Sequence, residues 1–85
     1  MSCACLAAAC GQPQSDVCEQ YVRCQHEYDT AAGTAPVDVA QYEADGLCWQ
    51  NDQNAGTCDK QCTEGIAANR DAAANANLDV PSCSG

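Results

Sequence analysis

Nine cysteines in 85 residues constrain this chain more than any other feature, because few other side chains could form a core. Only 14 residues are large and apolar: five Val, three Leu, three Tyr, and one each of Ile, Met and Trp. An acidic chain this poor in aliphatic and aromatic residues usually stays disordered. Disulfides, which stabilise by about 2–4 kcal/mol each, would offset that deficit. Because disulfides persist in oxidising compartments, the chain is predicted to be exported.

The formal charge of −9 argues against several classes of partner. The three basic residues, Arg23, Lys60 and Arg70, cannot neutralise a phosphate backbone or hold anionic headgroups. The 12 acidic residues are scattered singly, which is typical of a solvated surface. Nucleic acid is therefore not an expected partner, and membrane contact is expected only through a lipid anchor.

The first residues look like the end of an export signal, since small and apolar side chains precede a cysteine. The stretch Leu6-Ala-Ala-Ala-Cys10-Gly11 resembles the cleavage box of bacterial lipoproteins, which implies lipidation of Cys10. Residues 1–14 are thus predicted to be signal remnant, anchor and spacer, and residues 15–85 a disulfide-rich domain. The alternative is an unprocessed N-terminus. Cys3, Cys5 and Cys10 would then allow a disulfide-linked dimer, because an odd number of cysteines cannot pair within one chain.

The first predicted helix begins near Asp16, with Ser15 or Asp16 as its N-cap. Its apolar face repeats at i, i+4, i+7 and i+11, in Val17, Tyr21, Cys24 and Tyr28. Residues 29–36 are predicted to be a loop because they contain Gly and Pro. A short helical turn is expected through Tyr42.

The second predicted helix covers residues 54–76. Its buried row is expected to be Cys58, Cys62, Ile66, Asn69 and Ala73. Gly65, Ala68 and Ala72 form a slim neighbouring face that would let another helix approach closely. Trp49, beside Cys48, is expected to pack over a disulfide rather than stack on a ligand. Pro81 forbids further helix, so residues 78–83 are predicted to be an extended tail that folds back.

These elements predict an all-α fold: a small disulfide-stapled antiparallel helical hairpin with a short extra helical turn and a folded-back C-terminal tail. In an antiparallel pair the end of the first helix faces the start of the second, which places Cys24 near Cys58 or Cys62. Six cysteines allow 15 pairings, and spacing does not settle among them. The favoured set is Cys18–Cys83, Cys24–Cys62 and Cys48–Cys58.

Four cysteine motifs follow one another between residues 15 and 83. They are Cys18-Glu-Gln-Tyr-Val-Arg-Cys24, Asp45-Gly-Leu-Cys48-Trp49, Cys58-Asp-Lys-Gln-Cys62 and Pro81-Ser-Cys83. Together they resemble a six-cysteine helical domain of small envelope lipoproteins of myxobacteria and their relatives. The resemblance implies an exported or lipid-anchored helical disulfide module in the bacterial periplasm, in the outer envelope or outside the cell. It implies no enzymatic activity.

Catalytic and metal chemistry find little support in the sequence. The Cys-x-x-Cys motif of thiol redox catalysis is absent. Cys3-Ala-Cys5, Cys58-x-x-x-Cys62 and His26 offer metal ligands but lack the paired spacing of zinc sites. No catalytic residue, metal ligand or cofactor is predicted, and the protein is not expected to be an enzyme.

The expected function is that of a structural or interaction module of the cell envelope, with an unidentified protein or envelope partner. Two alternatives remain at this point. One is soft-metal (Zn or Cu) binding, and the other is a secreted inhibitor or effector.

Overall fold

A computed structural model describes residues 12–84. This part of the chain contains three α-helices and two short 3-10 turns. Within this range no β-strand occurs, so the predicted all-α fold is confirmed. The elements in chain order are α1 (Asp16–Ala32), 3-10 turns at Ala40–Tyr42 and Leu47–Trp49, α2 (Asp52–Ala76) and α3 (Pro81–Ser84).

Helix α1 begins where the sequence predicts. Ser15 is its N-cap, and the Ser15 hydroxyl accepts a hydrogen bond from the amide of Cys18. The helix continues to Ala32, and Gly33 closes it in the left-handed conformation with φ 70°. The predicted loop at residues 29–36 was therefore wrong for residues 29–32, which are helical, and confirmed for residues 33–36. Asp29 is buried, and hydrogen bonds to its carboxylate outweigh its low helix propensity.

Helix α2 begins two residues before the predicted start and ends at Ala76 as predicted. The side chain of Asn51 caps it by accepting a hydrogen bond from the Asn54 amide at 2.8 Å. Asn77, with φ 59°, ends it in the left-handed region. Most of the predicted row is buried, namely Cys58, Cys62, Ile66 and Ala73. The sequence pattern thus identified both the helix and its inner face.

The C-terminal tail folds back, as predicted, but it is not extended throughout. Pro81 begins the short helix α3, because proline is tolerated at the first helical position, where its missing N–H needs no partner. The carboxylate of Glu27 accepts hydrogen bonds from the amide and the hydroxyl of Ser82. The side chain of Gln20 donates to the Ser82 carbonyl at 3.0 Å. These contacts hold the tail along α1.

Helices α1 and α2 run parallel to each other, which corrects the predicted antiparallel hairpin. Cys18 is bonded to Cys62, 44 residues later, and Gln25 accepts a hydrogen bond from Asn69, again 44 residues later. A constant difference between facing residues is the register of a parallel pair. In an antiparallel pair, the residue number on one helix would instead fall as the number of the facing residue on the other helix rises.

The long connection between the helices makes the parallel arrangement feasible. Helix α1 has 17 residues and is about 25 Å long, and the register of 44 sets its first residue, Asp16, level with residue 60 of α2. The chain must therefore return past the start of α1 before α2 begins at Asp52. Residues 33–51 make this return. The Gln14 side chain bonds the Tyr42 carbonyl at 2.8 Å, and the Gln12 amide bonds the Trp49 carbonyl at 2.6 Å. Residues 12–14, assigned from the sequence to the spacer, therefore contact the connection.

The core consists of two clusters arranged along the helix pair. The first contains Cys18, Cys48, Trp49, Ala55, Cys58 and Cys62. The second contains Cys24, Ile66, Ala73, Val80 and Cys83. The half-buried side chains of Val17 and Tyr21 pack against both clusters and join them. Each cluster is therefore built around at least one disulfide.

Candidate functional site

The disulfide frame is the most developed chemical feature of the described residues. It pairs Cys18 with Cys62, Cys24 with Cys83 and Cys48 with Cys58, with Cα–Cα distances of 5.1, 4.7 and 5.9 Å. The favoured pairing was right for Cys48–Cys58 and wrong for the other two bonds, whose partners are exchanged. The exchange follows from helix direction. In a parallel pair the first cysteine of α1 faces α2, and the second meets the returning tail.

The three bonds tie different parts of the fold. Cys18–Cys62 joins α1 to α2, and Cys24–Cys83 joins α1 to α3. Cys48–Cys58 is local: it spans 10 residues and fixes the turn at Leu47–Trp49 to the second turn of α2. Cys10, the predicted lipid anchor, lies outside the described residues, as do Cys3 and Cys5.

The ring of Trp49 is buried in the first core cluster together with Cys48 and Cys58. Its indole N–H donates to the carbonyl of Glu43 at 2.8 Å, so both its apolar body and its polar tip are satisfied. The prediction that this ring packs with a disulfide is confirmed. With 4% of its surface exposed, the ring offers no face for a ligand to stack on.

A buried polar network links α1 to the middle of α2. Gln25 accepts hydrogen bonds from the Tyr21 hydroxyl at 3.1 Å and from the Asn69 amide at 2.9 Å. Its own amide donates to Asp29 at 3.0 Å, and Asp29 also accepts from the Val37 amide at 2.9 Å. The network therefore connects both long helices to the start of the connection.

Sequence reasoning missed this network, because Gln25 was not part of the predicted apolar face of the first helix and Asp29 was assigned to a loop. A signal was present in the sequence. Gln25 and Asp29 are spaced i, i+4, and they follow Tyr21 at the same interval along the face that the cysteines share. Buried polar side chains in such a row are expected to bond one another, as these do.

Tyr21 lies between the two core clusters and packs edge-on against Tyr42, with ring centroids 5.2 Å apart. Burial of the hydroxyl, followed by the nearby Tyr42 and the charge of Asp29, raises the pKa of Tyr21 above its ordinary value. The phenol is therefore held neutral as a hydrogen-bond donor to Gln25, and its role is structural.

An open cleft of about 410 Å³ lies beside the local disulfide, and both Cys48 and Cys58 form part of its wall. The exposed side chain of Leu47 stands at this cleft and at a second one of about 470 Å³ on its other side. Leu47 is 62% exposed, the highest value among the large apolar residues described. The remaining wall of the first cleft is neutral and polar, made of Gln41, Gln53, Asn54, Thr57 and Gln61.

Of the residues considered for metal binding, the three that the structure describes are not brought together. His26 is exposed on α1, and Cys58 and Cys62 belong to different disulfides. Across residues 12–84 no three His, Cys, Asp or Glu side chains form a group suited to a metal ion. Within the same residues, no helix is both long and apolar enough to cross a membrane.

Comparisons of the chain with protein-family models, with curated proteins and with solved structures found no match.

Proposed function

We propose that this protein is an exported, small, disulfide-rich structural or interaction module of the bacterial cell envelope, anchored by lipid at Cys10. It carries out no catalysis of its own. Its partner is a protein or another component of the envelope.

The observation that carries the proposal is the closure of every cysteine between residues 12 and 84 into a disulfide. A chain whose core depends on three such bonds is suited to an oxidising compartment. The bonds also fix α1, α2 and α3 to one another, which leaves a rigid scaffold for contacts.

The surface supports contact with a partner rather than chemistry. The chain has a net charge of −9, and the polar side chains around the Leu47 clefts are amides, the Thr57 hydroxyl and two carboxylates, those of Asp38 and Asp45. The sulfur atoms in the disulfides are not thiolates, so these six residues do not supply metal ligands while the bonds are closed.

Mass spectrometry of the intact protein, purified from a bacterial envelope fraction, tests the proposal. We expect the loss of residues 1–9, a diacylglycerol addition on Cys10 and a mass deficit corresponding to three disulfides. The Cys10→Ser variant should lose the lipid and leave the membrane fraction. The Cys5→Ser variant, altered in the segment that is removed, should behave like the parent.

Three results would contradict the proposal in different ways. Bound zinc or copper with free thiols would favour a soft-metal protein. Release into the medium without lipid would favour a secreted inhibitor or effector. An intact N-terminus in the cytoplasmic fraction would overturn export altogether.

A further inference from the structure

The three disulfides differ in how accessible they are to a reagent in solution. Cys18, Cys24, Cys62 and Cys83 have no exposed surface, whereas Cys58 is 7% exposed. Cys58 and Cys48 also form part of the wall of the 410 Å³ cleft, which is open to solvent and larger than a small thiol. The local bond can therefore be approached from this cleft without unfolding. Cys83 also lines a cleft, of about 310 Å³, but neither Cys83 nor its partner Cys24 has exposed surface, so the two interhelical bonds are closed to a reagent.

The charges around the sulfur atoms point the same way. The cleft wall contributed by the described residues is neutral, so an incoming thiolate meets amides and the Thr57 hydroxyl, which can hydrogen-bond to it. The Cys18 sulfur instead lies 4.0 Å from the carboxylate of Asp59. A negative charge there disfavours both an attacking thiolate and a departing one.

We propose that the Cys48–Cys58 disulfide is a thiol-exchange site at which a small thiol entering the cleft opens this bond while Cys18–Cys62 and Cys24–Cys83 stay closed. This inference goes beyond the envelope role and does not depend on the lipid anchor. The chemical class of the reactant is a low-molecular-weight thiol.

The exchange involves two balanced steps. The thiolate of the reactant bonds to Sγ of Cys58, the more exposed residue of the pair, and the Cys48–Cys58 bond breaks. Cys48 leaves as a thiolate and takes a proton from water. A second thiolate then attacks the sulfur of the bound reactant. Cys58 departs and is protonated, and the two reactant molecules leave as their own disulfide.

The surrounding contacts keep the turn in place after the bond opens. The Trp49 ring stays buried, and the backbone carbonyl of Trp49 still accepts a hydrogen bond from the Gln12 amide at 2.6 Å. Asn54 also bonds the Leu47 carbonyl at 3.3 Å. Opening the local bond should therefore leave the Leu47 turn in place and both long helices intact.

A time course of reduction under native conditions tests the proposal on the full chain. Free thiols are first blocked with iodoacetamide, dithiothreitol is added, and samples are quenched with N-ethylmaleimide. We expect the maleimide to label Cys48 and Cys58 at least about tenfold sooner than the other four cysteines, with helical circular dichroism unchanged at that stage. Tandem mass spectrometry is needed, because the tryptic peptide 24–60 carries Cys24 as well as Cys48 and Cys58.

Two further measurements examine the cleft and the direction of attack. Thr57→Trp should narrow the cleft and slow labelling of the local pair several-fold. Thr63→Trp, at another exposed threonine of α2 that does not line this cleft, should not slow it. With cysteamine as the thiol, the trapped intermediate should carry cysteamine on Cys58 and maleimide on Cys48.

Equal labelling rates for all six cysteines, or earlier labelling of either interhelical pair, would overturn the proposal. An unchanged rate in the Thr57→Trp variant would show that thiols do not enter through the cleft. Cysteamine found on Cys48 would overturn the assignment of Cys58 as the attacked sulfur.

Discussion

At Gly65 the backbone of α2 lies very close to a side chain of α1, that of Tyr21. A β-carbon placed there would lie 2.5 Å from Cε1 of Tyr21. The Tyr21 ring cannot move away freely, since it packs on Tyr42 and its hydroxyl bonds Gln25. The sequence identified Gly65 as part of a slim face, and the parallel register explains which side chain that face accommodates.

Replacing Gly65 with Ala is predicted to lower the free energy of unfolding by about 1–2 kcal/mol. The overpacking cost against Tyr21 exceeds the gain in helix propensity. Gly56→Ala is the matched control, because nothing lies within 4 Å of a β-carbon at that position of α2. That variant should be stabilised by about 0.5–1 kcal/mol. Urea unfolding with disulfides intact measures both, and equal stabilisation of the two variants would contradict the parallel register.

Glu27 is predicted to make the docking of the tail dependent on pH. The hydrogen bonds from the hydroxyl and the amide of Ser82 hold the pKa of Glu27 below its ordinary value, with a smaller contribution from Arg23. A carboxyl whose pKa is lowered by folding stabilises the fold above its unfolded pKa. That stabilisation is lost as the pH falls through the folded pKa.

The difference in unfolding free energy between the parent and Glu27→Gln should thus be present near neutral pH and shrink on acidification. Glu64→Gln, which removes one negative charge at an exposed position of α2, serves as the control. A parent–variant difference that stays constant down to acidic pH would show that the Ser82 bonds do not depend on the charge of Glu27.

At the scale of elements, the direction of α2 decides the disulfide pattern. The inner face of each helix follows from its periodicity, but a face can meet a neighbour running in either direction. The connection at residues 33–51 settles the matter, because its hydrogen bonds bring it back to the start of α1. With α2 beginning at Asp52, beyond the start of α1, Cys62 comes level with Cys18, and Cys24 is left to Cys83.

Removing disulfides in pairs is predicted to rank them by the length of chain that each one closes. Cys48–Cys58 closes 10 residues, whereas Cys18–Cys62 and Cys24–Cys83 close 44 and 59. Restriction of the unfolded chain is worth about 3 kcal/mol for the short loop and about 4 kcal/mol for each long one. Cys48→Ala/Cys58→Ala should therefore retain the highest melting temperature of the three double variants. A lower melting temperature for it than for either long-range variant would refute this ranking.

For the whole molecule, sulfur replaces much of the usual apolar core. Of the 12 buried apolar residues described, six are cysteines, and the others are Val39, Trp49, Ala55, Ile66, Ala73 and Val80. A core with so few large side chains cannot by itself offset the conformational entropy of ordering roughly 70 residues at about 1–2 kcal/mol each. The stability of the domain therefore depends on its disulfides.

Complete reduction is accordingly predicted to unfold the domain near room temperature without denaturant. Far-ultraviolet circular dichroism, followed while excess reductant opens all three bonds, should lose most of its helical signal. Reoxidation should restore it. Full helicity in a sample shown by mass spectrometry to be completely reduced would mean that the apolar contacts and the Gln25 network suffice on their own.

The sequence by itself determined the local structure of this protein. Capping residues and apolar periodicity predict both long helices, and Cys48–Cys58, which closes only 10 residues, was among the favoured pairings. The end of α1 was missed, because Asp29 and its neighbours have loop-forming character that only their tertiary hydrogen bonds overcome.

Helix direction, the two long-range disulfides and the buried Gln25–Asp29 network were decided by the tertiary structure alone. Periodicity is a property of one helix, whereas direction and pairing depend on the path of the chain between helices. That path is held by contacts between residues far apart in sequence, such as Gln14 with Tyr42 and Ser82 with Glu27. Local propensities carry no record of these contacts. The contacts, and not the propensities, bring the paired sulfur atoms together.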